Sequence, residues 1–118
     1  MALAPVHDST TTALQLALRG LGARQRAVAK NVANLETPGY VATAVSFEDS
    51  LREAIAGGSP ASAAVTEDKT SDAAGPNGNN VLLDHESMVL ADTGLRYQLL
   101  SQAVSMRFGI LRAAIGRG

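Results

Sequence analysis

Three groups of side chains have the types and spacing from which chemistry is usually built. Glu48, Asp49 and Glu53 fall in one segment and Glu67, Asp68 and Asp72 in another, hard oxygen donors of the kind that hold a divalent cation. Neither group has the spacing of a calcium-binding loop, so a solvated helix face and a solubilising loop are expected. His85 stands between Asp84 and Glu86, a fragment of a metal or acid–base site. Adjacent helix positions do not share a face, however, and the other histidine, His7, is remote, so these read as helix-start residues. Ser9, Ser46 and Ser50 come with no identifiable base or oxyanion loop, and there is no glycine-rich phosphate cradle. The absence of cysteine excludes a disulfide framework, a thiolate metal site and a cysteine nucleophile. Arg19, Arg24, Arg26 and Lys30 could meet phosphates or anionic lipid, but they spread around a helix with few aromatics beside them for base stacking. The sequence thus points to no catalytic residue, no metal and no cofactor, and to no nucleic-acid or small-molecule substrate.

The elements that carry these residues are mainly helical. From about Thr12 to Asn34, Leu14, Leu18, Leu21, Gln25, Val28, Val32 and Leu35 step by four and three, a heptad seam. Asp8, Ser9 and the following threonines are N-cap candidates. Asn34 can leave the helix cheaply, and Thr37-Pro38 forbids its continuation. Pro38-Gly39 suits the centre of a type II turn. Val41, Thr43, Val45 and Phe47 then alternate with small residues, which predicts a short extended segment. A helix of about three turns should start at Ser46, with Phe47, Leu51 and Ile55 on one face, and end at Gly57-Gly58.

Residues 57–80 contain one large apolar side chain, Val65, among four glycines and two prolines, which predicts a mobile loop, ordered only if a neighbour holds it, with a plain turn at Asn77-Gly78. A last helix is expected from an Asp84 N-cap to about Ile115. Its seam is Leu90, Gly94, Tyr97, Ser101, Val104, Phe108, Leu111 and Ile115, and a second stripe holds Met88, Leu95, Leu99, Met106 and Ile110. So wide an apolar face expects more than one neighbour. Arg107, Arg112 and Arg117 lie near its carbonyl end, where positive charge is favoured.

With 118 residues the chain is one small domain, and its 3% aromatic content leaves Ala, Leu and Val as the apolar stock, a helix-favouring mixture. The net charge of −1 conceals a division into +3 over residues 1–35, −8 over 36–92 and +4 over 93–118. No membrane-spanning run or cleavable leader is readable, so the default expectation is retention in the cytoplasm unless a dedicated apparatus exports the chain. A terminal helix of about 32 residues is roughly 48 Å long, against a radius of gyration near 13 Å for a compact globule. The expected molecule is a rod: long N- and C-terminal helices forming an antiparallel coiled-coil hairpin, residues 1–36 and 84–118, joined by a middle segment, 37–83.

The run Ala29-Lys30-Asn31-Val32-Ala33-Asn34-Leu35-Glu36-Thr37-Pro38-Gly39-Tyr40 resembles the N-terminal signature of the flagellar rod, hook and hook–filament junction proteins, A-x-N-[IVL]-A-N-x-x-T-P-G-Y. Gly78-Asn79-Asn80-Val81, Asp84, Glu86, Leu95-Arg96-Tyr97-Gln98 and the closing Phe108 and Leu111 to Ile115 are similar to the proximal rod members. Lys30, Val41 and Ser87 depart from the pattern. The resemblance implies a self-assembling subunit of the basal-body rod, the hollow drive shaft across the periplasm, exported uncleaved by the flagellar type III apparatus. Its implied neighbours are other copies, other rod proteins, the adaptor FliE and the MS ring. The assembly seam would be Leu14, Leu18, Leu21, Val28, Val32, Leu90, Tyr97, Val104, Phe108, Leu111 and Ile115, with Asn31, Asn34, Thr37, Pro38, Gly39 and Tyr40 fixing the helix exit. Two rival classes are a cytoplasmic coiled-coil adaptor, which would form a stable small oligomer, and a membrane-surface amphipathic protein, which would bind anionic vesicles through residues 19–30.

Overall fold

A computed structural model describes residues 8–116; His7 and Arg117, considered above, lie outside the described residues. Asp8 opens the first helix, α1 (Ser9–Ala33), its carboxylate accepting the backbone N–H of Thr11 at 2.8 Å. Asn34 ends it: its amide donates to the Lys30 carbonyl at 2.8 Å, while its oxygen accepts the Thr37 hydroxyl. The type II turn follows as expected, with Gly39 at φ +73° and the Tyr40 N–H donating to the Thr37 carbonyl at 3.2 Å.

Beyond the turn, β1 (Thr43–Ser46) leads into α2 (Glu48–Ala56). The helix starts two residues later than the Ser46 expectation, and Phe47 at the cap position contributes packing rather than a side-chain hydrogen bond. A short 3-10 turn (Pro60–Ser62) precedes β2 (Thr66–Lys69), which pairs antiparallel with β1, Thr43 opposite Lys69 and Ser46 opposite Thr66. Within the stretch 57–80, expected to be a loop ordered only where a neighbour holds it, Thr66–Lys69 thus form a strand. Every side chain of β2 is exposed, so apolar content could not signal it; backbone pairing with β1 holds it.

The last helix, α3 (Leu83–Gly116), runs antiparallel to α1: Asn31 near the end of α1 meets Glu86, while Arg107 reaches Asp8 and Thr11 at its start. Asp84 lies within the first turn instead of capping it. The inward face of α3 includes a row one position from the expected seam. Glu86, Thr93, Leu100 and Arg107, seven apart, face the rest of the chain, with the expected Gly94, Ser101 and Phe108 half-buried beside them. Three of those four are polar, so ranking by apolar character selects the neighbouring row.

Ala17, Leu21, Ala27, Val45 and Phe47 form the core, joining α1 to the sheet and α2. Gly20 makes this approach possible: a Cβ there would lie 2.3 Å from the Phe47 ring. The radius of gyration is 18.2 Å and the principal extents are 65 × 26 × 15 Å, well beyond the roughly 13 Å radius of a compact chain of this length.

Candidate functional site

Asn31 is 1% exposed and uses its whole amide. Its Nδ2 donates to the Thr43 carbonyl at 2.8 Å and to Glu86 Oε1 at 2.7 Å; its Oδ1 accepts the Thr43 N–H and the Tyr40 hydroxyl, both at 3.0 Å. One side chain thus ties together α1, the turn, β1 and the start of α3. Burial raises the pKa of the Tyr40 hydroxyl, keeping it in the neutral form that donates to Asn31.

Two more asparagines extend the network. Asn79 Nδ2 donates to the carbonyls of Asn34 and Thr37 at 2.8 and 2.9 Å, and its Oδ1 accepts the Val81 N–H. Asn80 accepts the Ala42 N–H at 2.7 Å and donates to the Thr70 hydroxyl and the Asp72 carbonyl, closing the far end of the strand pair. Gly78, at φ +81°, lets this turn approach Gly39. Together the three asparagines satisfy polar backbone groups that the turn and loop would otherwise bury unpaired.

Arg24 locks the neighbouring flank. Its guanidinium donates to Glu48 through two bonds of 2.5 and 2.7 Å and to the Val45 carbonyl, and lies 5.0 Å from the centre of the Phe47 ring. The hydrogen bond from Arg24 pulls the Glu48 pKa down to about 2 despite partial burial. The same bond raises the pKa of Arg24. Five of the charged side chains singled out in the sequence are engaged within the chain: Arg24 with Glu48, Asp49 with Arg52, and Lys30 4.0 Å from Glu67. Among the described residues, no three His, Asp or Glu side chains converge where a metal could be held, and no helix is long and apolar enough to cross a membrane.

The expected seam residues divide into three groups. Leu21 and Val28 are buried; Leu14, Leu18, Val104, Phe108 and Leu111 are half-buried; Val32, Leu90, Tyr97 and Ile115 are exposed in the single chain. The second stripe stands out more. Met88, Leu95, Leu99, Met106 and Ile110 form one row along α3 and are 58–71% exposed. Nothing within the described chain covers it. Of the helix-exit residues, Asn31 is buried, Tyr40 and Asn34 are half-buried, and Thr37, Pro38 and Gly39 are exposed while forming the turn. Sequence reasoning missed the bonding roles of Asn79 and Asn80, the contact of Glu86 with Asn31, which it read only as a helix-start residue, and the Arg24–Glu48 and Asp8–Arg107 pairs. Only the adjacent asparagines before Val81, in a turn rich in glycine, carried a usable signal.

No family model matches the chain. The flagellar basal body rod protein FlgB of Bacillus subtilis (strain 168) is 30% identical over 129 residues, covering 96% of this chain and 98% of that protein. The chain belongs to the FlgB family. FlgB of Escherichia coli (strain K12) and of Shigella flexneri are each 29% identical over 119 residues, covering 83% of this chain and 86% of theirs. In this FlgB-family chain, the turn segment that carried the resemblance is the one the three asparagines fasten, and the exposed stripe is presented by the helix anchored there.

Proposed function

We propose that the chain is a structural subunit of the bacterial flagellar basal-body rod, assembling with other copies and other basal-body components through its two long helices. The observation that carries this reading is the uncovered stripe on α3 in a chain of the FlgB family. Five large apolar side chains in one row favour burial by about 1.5–3 kcal/mol each, and a contiguous exposed apolar surface of this kind marks an interaction face. The protein has no need of substrate or cofactor in this role; its activity is packing.

In finer detail, α1 and α3 form a coiled-coil hairpin, and the stretch between them is a middle segment facing outward. The antiparallel contacts at both ends of α1 and the seven-residue spacing of Glu86, Thr93, Leu100 and Arg107 support this arrangement. The seam residues left exposed in one chain, Val32, Leu90, Tyr97 and Ile115, pack against neighbours. The subunit is exported uncleaved by the flagellar type III apparatus, lies in the periplasmic rod and contacts FliE and the MS ring; these points follow from family resemblance. A cytoplasmic coiled-coil adaptor is less favoured, because the three relatives named above share a rod-protein name.

Deletion of the chain tests the reading. Flagella and motility should be lost, and a tagged copy that restores them should copurify with detergent-extracted basal bodies. Complete basal bodies in cells lacking the chain would refute it, as would a stable cytoplasmic oligomer as the main form.

A further inference from the structure

Beside the stripe, α1, α2 and α3 enclose an open groove of 480 Å³. Its floor is apolar, with Leu21, Phe47, Leu51, Ile55, Leu99 and Leu100. Its rim is basic. Arg52 and Arg96 stand at the mouth with side chains 75% and 54% exposed, whereas Glu48, the acid between them, is bound by Arg24 through two hydrogen bonds and lies 4.0 Å from Arg96. The groove therefore calls for an apolar segment that carries acid.

The chain presents one. The first turns of α3 expose Met88 and Leu95, with Asp84 and Asp92 on the flanks of the same face. Asp92 is held by its own Arg96 at 2.8 Å, but Asp84 has no ion-pair partner among the described residues. Farther along, Met106 and Ile110 are equally apolar, yet residues 93–118 contain four arginines and no acid, so that half of the stripe suits a basic rim poorly. The Arg52–Asp49 and Arg96–Asp92 pairs are exposed and short-range, and such surface pairs exchange partners at little cost.

Resting on the rod reading above, we propose that a second copy of the chain fills this groove with the start of its α3, Met88 and Leu95 entering the apolar floor and Asp84 meeting Arg52. Groove and insert are different surfaces of the same molecule, so the contact is heterologous. A head-to-tail contact of this type leaves a free groove at one end and a free insert at the other, and it propagates into a filament unless its rotation closes a ring. Leu99 belongs to both the groove and the stripe, so each docked copy also extends cover along its neighbour's α3.

The chain lacks cysteine, which makes crosslinking selective. A chain carrying both Ile55→Cys and Met88→Cys, supplied as the sole copy in flagellated cells, should give a ladder of disulfide-linked dimers, trimers and longer species on oxidation of purified basal bodies. Either substitution alone should give none. Asp84→Arg should lower the ladder yield about fivefold, and Arg52→Asp in the same chain should restore it. Doubly substituted chain present in basal bodies without a ladder would overturn the contact and leave the rod reading standing. Dimers from Met88→Cys alone would mean that stripe meets stripe, and a crosslink to a different protein would make that protein the occupant; either result overturns the proposal. An unsubstituted chain absent from basal bodies would overturn the rod reading itself and this contact with it.

Discussion

Asn31 joins four partners, and no other side-chain type could do so at that position. An aspartate offers only acceptors when ionised and would face the Glu86 carboxylate, a leucine would leave both that carboxylate and the Thr43 N–H without their partner, and a glutamine would carry its amide one methylene too far. Removing one member of a buried polar set leaves the others desolvated and unpaired. Asn31→Ala should therefore destabilise the isolated chain by about 3–5 kcal/mol in urea denaturation, whereas Asn34→Ala, at the half-buried helix end, should cost about 1 kcal/mol. Equal losses would show that the buried network contributes no more than the cap. Sequence pattern alone marks both asparagines as parts of a helix exit and does not rank them. The difference comes from burial, which depends on Glu86, 55 positions away.

At the scale of elements, the Arg24–Glu48 pair fastens α2 to α1 and β1, and its strength depends on pH. The folded pKa of Glu48, about 2, lies below its ordinary 4.5. The pair's contribution is therefore fully present above pH 4.5 and disappears as pH falls from there towards 2. Because the carboxylate side chain is 35% exposed, solvent screening limits the effect to about 1–2 kcal/mol. Glu48→Gln should remove that part of the acid destabilisation, measured as the difference in urea midpoint between pH 6 and pH 3; identical pH dependence in variant and parent would contradict the assignment.

The elements also differ in how far sequence reveals them. Both long helices and the type II turn are written in local signals: Asp8, Asn34, Pro38-Gly39 and apolar spacing. β2 is not, because Thr66–Lys69 is polar, exposed and held by a strand 20 residues earlier. The inward row of α3 is hidden for a related reason. Glu86 and Arg107 turn inward because Asn31, Asp8 and Thr11 meet them, and apolar periodicity cannot register such partners. The outward stripe, by contrast, was legible as a face in excess of what one helix can cover.

The whole molecule is a long body with a modest core at its middle and an apolar edge along most of its length. The core and asparagine network hold the turn, strands and helix starts together, while Met106 and Ile110 in the far half of α3 stay exposed. A subunit of this design keeps its assembly surface open until neighbours cover it. The most direct measurement is incorporation of a chain carrying Met106→Asp and Ile110→Asp into purified basal bodies. Both side chains are more than 60% exposed in the single chain, so the isolated variant should retain the parent's circular dichroism. Burying two carboxylates in a formerly apolar contact should lower incorporation at least about tenfold, equivalent to roughly 1.4 kcal/mol. Parent-level incorporation with unchanged dichroism would show that the stripe stays uncovered in the rod and would contradict the account.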